Sequence, residues 1–367
     1  MVFFQSTIVI FTDMIKKYYN VIGVMSGTSL DGVDLVYVTF TLNDTWEFTT
    51  SYSETYAYPD KWKLQLSNLT DMSNEDLKVF DRDYTAFLAD RINTFIRDNN
   101  LVDIDFIASH GHTALHQPDL GLTYQIGNLP EISKILNKTV VCDFRTQDVA
   151  LGGQGAPLVP VGDKLLFSNY DYCINLGGFA NISSEFSGNR IAYDICPVNI
   201  VLNYYVSQLG KLFDDKGAIA KSGNVHQELL SKLNSLKFYE KSHPKSLGLE
   251  WVKENIFSLI NKYNIDTKDI LRTFVEHIAD QIAKEINQTK KSSVLITGGG
   301  AYNTFLISKI KEKTKHEISI PNSTIIEFKE AIIFGFLGVL KLRNEVNCLA
   351  SVTGAKFNHS SGVVYRI

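Results

Sequence analysis

The sequence lacks any Cys-x-x-Cys pair. Its four cysteines, Cys142, Cys173, Cys196 and Cys348, are scattered along the chain, which removes zinc-ribbon and thioredoxin-type chemistry. Their neighbours are apolar and strand-like, the setting of buried free thiols in a reducing compartment, so a cytoplasmic location is expected. Positive charge is not in excess either. With 36 Lys plus Arg against 40 Asp plus Glu the net charge is -4, whereas a nucleic-acid groove needs clustered cations. The apolar run from Ala331 to Leu340 is far short of the ~20 residues that span a bilayer and reads as a buried helix. Neither nucleic acid nor membrane is an expected partner. The apolar segment Met1 to Thr12 carries no basic flank and no small-residue cleavage site, and Met14 is the expected start. A Gly-x-x-x-x-Gly-Lys-[Ser/Thr] loop, a Gly-x-Gly-x-x-Gly after the first strand and the protein-kinase signatures are all missing. Any phosphate site must therefore be built from turns of another kind.

What is present is a globular composition, 44% apolar and 21% charged over 367 residues, long enough to divide into two domains. Val21–Met25 and Val33–Thr39 read as strands. Ser73 with Asp76 forms a capping box that opens a helix, whose Leu77, Phe80, Tyr84, Phe87, Leu88, Ile92 and Phe95 make one apolar stripe. Strands follow at Ile104–Ser109 and Val140–Phe144, then Cys173–Leu176, Ile182–Phe186 and Ile191–Asp194. Pro197 suits the first turn of a helix running to Leu209. Helices are expected from Thr267 to Ile286, over Asn303–Lys313 and over Glu330–Leu342, with a strand at Val294–Thr297. The alternation is that of an α/β chain.

Three glycine turns each follow a strand: Ser26-Gly27-Thr28, Gly177-Gly178 and Gly298-Gly299-Gly300. Without a Cβ, backbone N–H groups can approach a polyphosphate closely, and the hydroxyls of Ser26, Thr28 and Ser29 would add donors. One such turn is commonplace. Three of them on an α/β frame fit a nucleotide held between two lobes, with the first hairpin spanning Val21 to Val38.

At this point the residues resemble a known family. The stretch Ile22-Gly23-Val24-Met25-Ser26-Gly27-Thr28-Ser29-Leu30-Asp31-Gly32-Val33-Asp34 is similar to the signature of anhydro-N-acetylmuramic acid kinases. So are Ser109-His110-Gly111, Gln125-Ile126-Gly127, Asp143-Phe144-Arg145, and the run Gly152-Gly153-Gln154-Gly155-Ala156-Pro157. Asn175-Leu176-Gly177-Gly178, Gly298-Gly299-Gly300-Ala301, Lys329-Glu330-Ala331 and Ser351-Val352-Thr353-Gly354-Ala355 follow in the same order. The resemblance implies a two-lobed actin-like ATPase (ribonuclease H-like) fold with the ATP cleft between lobes. The lobes are expected at 1–131 plus 343–367 and at 132–342. It also implies a reaction: ATP, with Mg²⁺, phosphorylates O6 of 1,6-anhydro-N-acetylmuramic acid while water opens the anhydro bridge at C1. The product, N-acetylmuramic acid 6-phosphate, is an intermediate of murein recycling. A homodimer is implied as well. The alternatives are a kinase for another amino or anhydro sugar, or a non-catalytic ATP-dependent switch, since actin-like folds serve both.

By the same resemblance Asp194 is the general base that activates the water; read from the residues alone it would cap the helix after Pro197. Ser26, Gly27, Thr28, Ser29, Leu30, Asp31, Gly32, Val33 and Asp34, with Gly177, Gly178, Gly298, Gly299 and Gly300, are the nucleotide-site candidates. Asp31 is the candidate Mg²⁺ carboxylate, since Mg²⁺ keeps most of its water; it could equally brace the turn, as could Asp34. Arg145 and Glu330 read as the sugar-site pair, the planar guanidinium suiting a carboxylate, or as a structural salt bridge. His110 and Gln125 complete the sugar site. The spacing of His110, His112 and His116 fits no zinc motif, and His110 and His116 are expected to hydrogen-bond within the cleft. The family's Asp-Thr-Gly-Pro-Gly-Asn is here Asp194-Ile195-Cys196-Pro197-Val198-Asn199. Loss of both glycines is expected to restrict approach of substrate to that turn.

Overall fold

The computed structural model describes residues 16–27, 30–290 and 292–367. Met14 and, in the first glycine turn, Thr28 and Ser29 lie outside the described residues. β1 (Tyr18–Ser26), β2 (Gly32–Leu42) and β3 (Trp46–Ala57) form an antiparallel meander. β4 (Phe106–Ser109) pairs parallel with β1. After a separate hairpin of β5 (His112–Gln117) and β6 (Leu122–Ile126), β7 (Val140–Cys142) pairs parallel with β4. The second half repeats the plan. β8 (Tyr172–Leu176), β9 (Phe179–Phe186) and β10 (Asn189–Pro197) form a meander, β11 (Ser293–Thr297) runs parallel with β8, and β12 (Glu317–Ser319) with β11. β13 (Val363–Tyr365) closes the first sheet against β7.

The sheet orders are therefore β3-β2-β1-β4-β7 with β13 added, and β10-β9-β8-β11-β12. A meander followed by two parallel strands, made twice, is the duplicated ribonuclease H-like plan of the actin-like ATPase fold. Val140–Cys142 lies in the first sheet, although the division at 131 put it with the second lobe. The helix over Ser323–Leu342 also leans on the first sheet: a Cβ on Gly23 would stand 2.1 Å from the carbonyl oxygen of Ala331. Its side chains from Ala331 to Leu340 are buried. Among the described residues no helix is long and apolar enough to cross a membrane.

Local chemistry accounts for most of these elements. Ser73 Oγ accepts from the Asp76 amide and donates to its carboxylate, and the helix Asn74–Asp98 follows with its apolar stripe packed on the first sheet. Asn303 and Asn322 cap the helices Thr304–Glu312 and Ser323–Leu342 in the same way. One expectation fails at Pro197. β10 runs through it, and the helix begins at Asn199 after Val198, with no side-chain cap. All four cysteines are buried free thiols.

Candidate functional site

Between the two sheets lies a cavity of about 920 Å³. The end of β1 and the start of β2 bring Gly27, Asp31, Gly32 and Asp34 to one wall, and β8–β10 bring Asn175, Gly177, Asn181 and Asp194 to another. Gly298 and Gly299 follow β11, and Glu327, Lys329 and Glu330 project from the helix Ser323–Leu342. All three glycine turns of the sequence meet here.

The turns do different work. Gly298 has φ +79, and a Cβ there would lie 2.4 Å from Asn175 Oδ1, so only glycine fits. At Gly178 the nearest atom to such a Cβ is 3.9 Å away, on Ile200. Gly178 is exposed beside the cavity, and its neighbour Gly177 is the one in the wall. Gly300 is buried against Leu176 rather than in the cavity wall. In the first turn Val33 is wholly buried in the core, and Leu30, at φ 60, packs against the same core. Ser26 contributes no hydroxyl to the cavity. It shares the face of Ile22 and Val24, is 1% exposed, and its Oγ is bound to Tyr58, Tyr84 and His112 at 2.6–2.8 Å. It braces the turn from behind.

Asp194 stands where β10 bulges: Asp194 is opposite Asn181 and Cys196 opposite Ala180, leaving Ile195 extra. Bulges re-aim side chains in this way. Asp194 Oδ2 accepts the Leu247 amide at 2.8 Å, and the Asp194 amide donates to the Lys245 carbonyl at 3.1 Å. No hydrogen bond reaches Oδ1 among the described residues, and the carboxylate caps no helix. Burial raises its pKa, against the lowering effect of the Leu247 amide. The substituted residues Ile195, Cys196 and Val198 are 0–1% exposed and belong to the second lobe's core. They do not crowd the cavity, contrary to the expectation, because the bulge and the strand turn them inward.

Carboxylates gather on the facing wall. Asp34 Oδ1 accepts from Thr55 Oγ1 at 2.6 Å; burial raises its pKa to about 6, with Glu330, Asp31 and Glu327 adding to the rise. Glu330 is open to the cavity but enclosed by protein. That enclosure raises its pKa, opposed by Arg145 and Lys329. Such an oxygen-rich, mutually repelling set fits a hard divalent cation of the Mg²⁺ kind. Lys329 Nζ pairs with Asp163 Oδ1 at 2.7 Å, both buried. Burial lowers the Lys329 pKa, but Asp163 and Cys173 more than offset it and the ammonium stays charged.

Arg145, His110 and Gln125 do not line the cavity. The left-handed backbone of Asp143 (φ 54) turns the chain out of β7 toward the helix Thr146–Ala150. From there Arg145 Nε donates to His110 Nε2 and Nη1 donates to the Gly155 carbonyl, both at 2.9 Å. His110 donates through Nδ1 to the Gly111 carbonyl, and burial followed by the Arg145 charge holds it neutral. Arg145 and Glu330 feel each other's charge but form no ion pair within 4.0 Å among the described residues. Gln125 is buried, donating to Thr123 Oγ1. His116 does line the cavity.

Sequence reasoning missed the segment Pro244-Lys245-Ser246, which lines the cavity and fixes Asp194. Its only signal was a Lys-Ser pair between Pro244 and Gly248 in a loop. It gave no role to Asn175 and Asn181, and missed Asp163 and Glu327, all of which line the cavity.

A family model described as anhydro-N-acetylmuramic acid kinase matches residues 19–367. The chain is 34% identical to an anhydro-N-acetylmuramic acid kinase of Mannheimia succiniciproducens, over 96% of this chain and 100% of that one. It is 30% identical to one of Haemophilus influenzae, over 96% and 99% of the two chains. Among solved structures it is similar to component A of (R)-2-hydroxyglutaryl-CoA dehydratase from Acidaminococcus fermentans. That likeness has a TM-score of 0.46 and 14% identity, covering 86% of this chain and 95% of that one.

Proposed function

The chain belongs to the anhydro-N-acetylmuramic acid kinase family, and from that premise we propose how its cleft performs the reaction. The activity is phosphorylation of anhydro-N-acetylmuramic acid, a phosphotransferase step. ATP is the proposed donor and 1,6-anhydro-N-acetylmuramic acid the acceptor, in the cytoplasm, as part of murein recycling. The observation that carries the reading is one cavity in which a partly buried carboxylate, Asp194, shares the walls with three glycine turns and an acidic cluster.

In this reading Gly27, Gly177, Gly178, Gly298 and Gly299 let backbone amides come close to the phosphates. Asp31 and Asp34, which line the cavity, would hold Mg²⁺, and when bound it would supply positive charge to offset that of the phosphates. Asp194 accepts a proton from the water whose oxygen bonds to C1. The C1–O6 bond breaks, O6 takes the γ-phosphoryl group, and ADP and N-acetylmuramic acid 6-phosphate leave. The Leu247 amide on Oδ2 orients the carboxylate and leaves Oδ1 for that proton. Glu330 and His116 face the sugar; Arg145, held by His110 and Gly155, acts on it through charge and small movements of the lobes. Lobe closure keeps bulk water from the phosphoryl group.

Sugar-dependent ADP release from ATP tests the reading, with Asp194→Asn as the control. Asparagine can still accept the Leu247 amide but cannot take the proton, so kcat should fall about 10²–10⁴-fold with the fold intact. ADP release that ignores the sugar, or an Asp194→Asn variant as fast as the parent, would reject it. We further propose a homodimer, on the resemblance alone; a mass of 41.3 kDa in light scattering would reject that.

A further inference from the structure

Asp148, Cys348 and His359 meet away from the reaction just described, behind the Gly152–Gly155 loop. They are 0%, 1% and 6% exposed. Cys348 and His359 are directly opposite each other in a short antiparallel bridge, with Cys348 N to His359 O at 3.1 Å and His359 N to Cys348 O at 3.2 Å. Residues so paired carry their side chains on one face. That face meets Asp148 on the helix Thr146–Ala150. The Cys348 thiol donates to Asp148 Oδ1 at 3.0 Å, His359 Nε2 lies 3.6 Å from the same oxygen, and one ligand atom from each residue lies within 4.8 Å of the others.

The imidazole supplies the second observation. Its Nδ1 lies 3.1 Å from the Phe357 carbonyl and so carries the proton. In the neutral ring that leaves a lone pair on Nε2, which is buried, has no hydrogen-bond partner, and is turned toward a carboxylate oxygen. The lone pair and the carboxylate oxygen repel each other in a dry interior, and a cation held by both relieves that repulsion. A backbone carbonyl fixing Nδ1–H is also how metal-binding histidines are oriented. Asp148 is oriented likewise, its Oδ2 accepting the Gly155 amide at 2.7 Å and its Oδ1 the Thr353 hydroxyl at 2.7 Å.

We infer that Asp148, Cys348 and His359 form a binding site for a zinc-like divalent cation. Thiolate, imidazole and carboxylate are the ligand types Zn²⁺ accepts, and the Thr353 hydroxyl stands nearest for a fourth. On binding, Cys348 releases its thiol proton to solvent. Thiolate plus carboxylate then balance the two positive charges, so the buried site is neutral. The ion would staple the C-terminal hairpin to the helix Thr146–Ala150. Through Asp148 and Gly155 it would also hold the loop whose Gln154 and Ala156 line the cavity.

The rival is a proton in place of the metal, an imidazolium paired with Asp148. The full-length chain, stripped with chelator, is incubated with Zn²⁺ or Co²⁺ and freed of excess by gel filtration. The inference expects about one zinc per chain, a thiolate-to-cobalt charge-transfer band in the near ultraviolet, and release of about one proton per metal bound. Cys348→Ser and His359→Gln should each lose the band and most of the zinc. Below about a tenth of a zinc per chain with no cobalt band in the parent, the site does not bind metal and the inference falls. It falls equally if Cys348→Ser keeps the band. The parent readings decide the matter even if a variant fails to fold.

Discussion

Replacing Asp34 with asparagine isolates the charge that the cavity concentrates. Asp34 sits at the start of β2, accepts from Thr55 Oγ1 at 2.6 Å, and faces Glu330, Asp31 and Glu327. Burial first, then those carboxylates, raise its pKa from 3.8 to about 6 against the lowering effect of Thr55. A rise of that size corresponds to about 3 kcal/mol. Ionising Asp34 therefore costs more in the folded chain than in the unfolded one. The penalty is absent below pH 3.8, grows as pH rises toward 6, and is complete above it. Asparagine keeps the acceptor for Thr55 and carries no charge. Asp34 is partly open to water, so the gain in stability at pH 8 should be about 1–3 kcal/mol. At pH 4 parent and variant should be almost equal. Guanidinium unfolding at pH 4, 6 and 8, with nucleotide and divalent cations removed, reads the difference directly. Adding Mg²⁺ and ATP should narrow it, because the cation offsets the same charge. A difference that does not change with pH, or a variant less stable at pH 8, would refute the reasoning.

Two further perturbations separate packing from binding. Gly178→Val meets no protein atom closer than 3.9 Å at its Cβ, so stability should change by less than about 1 kcal/mol while the KM for ATP rises several-fold. Gly298→Ala puts a Cβ 2.4 Å from Asn175 Oδ1 at φ +79 and should lose about 2 kcal/mol or more in a thermal melt. Equal melting of the two variants would contradict that division. Lys329→Met leaves Asp163 buried without its partner and should cost about 3–5 kcal/mol. Combining it with Asp163→Leu should recover most of the loss in urea unfolding, and a double variant no better than the single one would refute the pairing.

The turns after β1, β8 and β11 were legible because strands of β-branched residues end abruptly in glycine, which local chemistry alone makes informative. So was the capping box at Ser73. Ser26 was misread for an equally local reason. β1 continues through it, and period-two alternation then places it beside Ile22 and Val24 in the core. β3 escaped notice as a polar edge strand, exposed along most of its length. The bulge at Ile195 was not readable, since it shows only in the pairing of β10 with β9. Nor was the tie from Leu247 to Asp194, which joins residues 53 apart. The Asp148–Cys348–His359 cluster spans the same difficulty at greater distance: two of its members meet only because the chain's end folds back on itself.

The most direct test of the central claim is the mass of the sugar product made from ATP and 1,6-anhydro-N-acetylmuramic acid. The cleft described here predicts substrate plus one phosphoryl group plus one water, formed together with one ADP, and lost with Asp194→Asn. A phosphorylated sugar with the anhydro bridge still closed would contradict the role of Asp194, and ADP without any sugar phosphate would contradict the phosphotransfer itself.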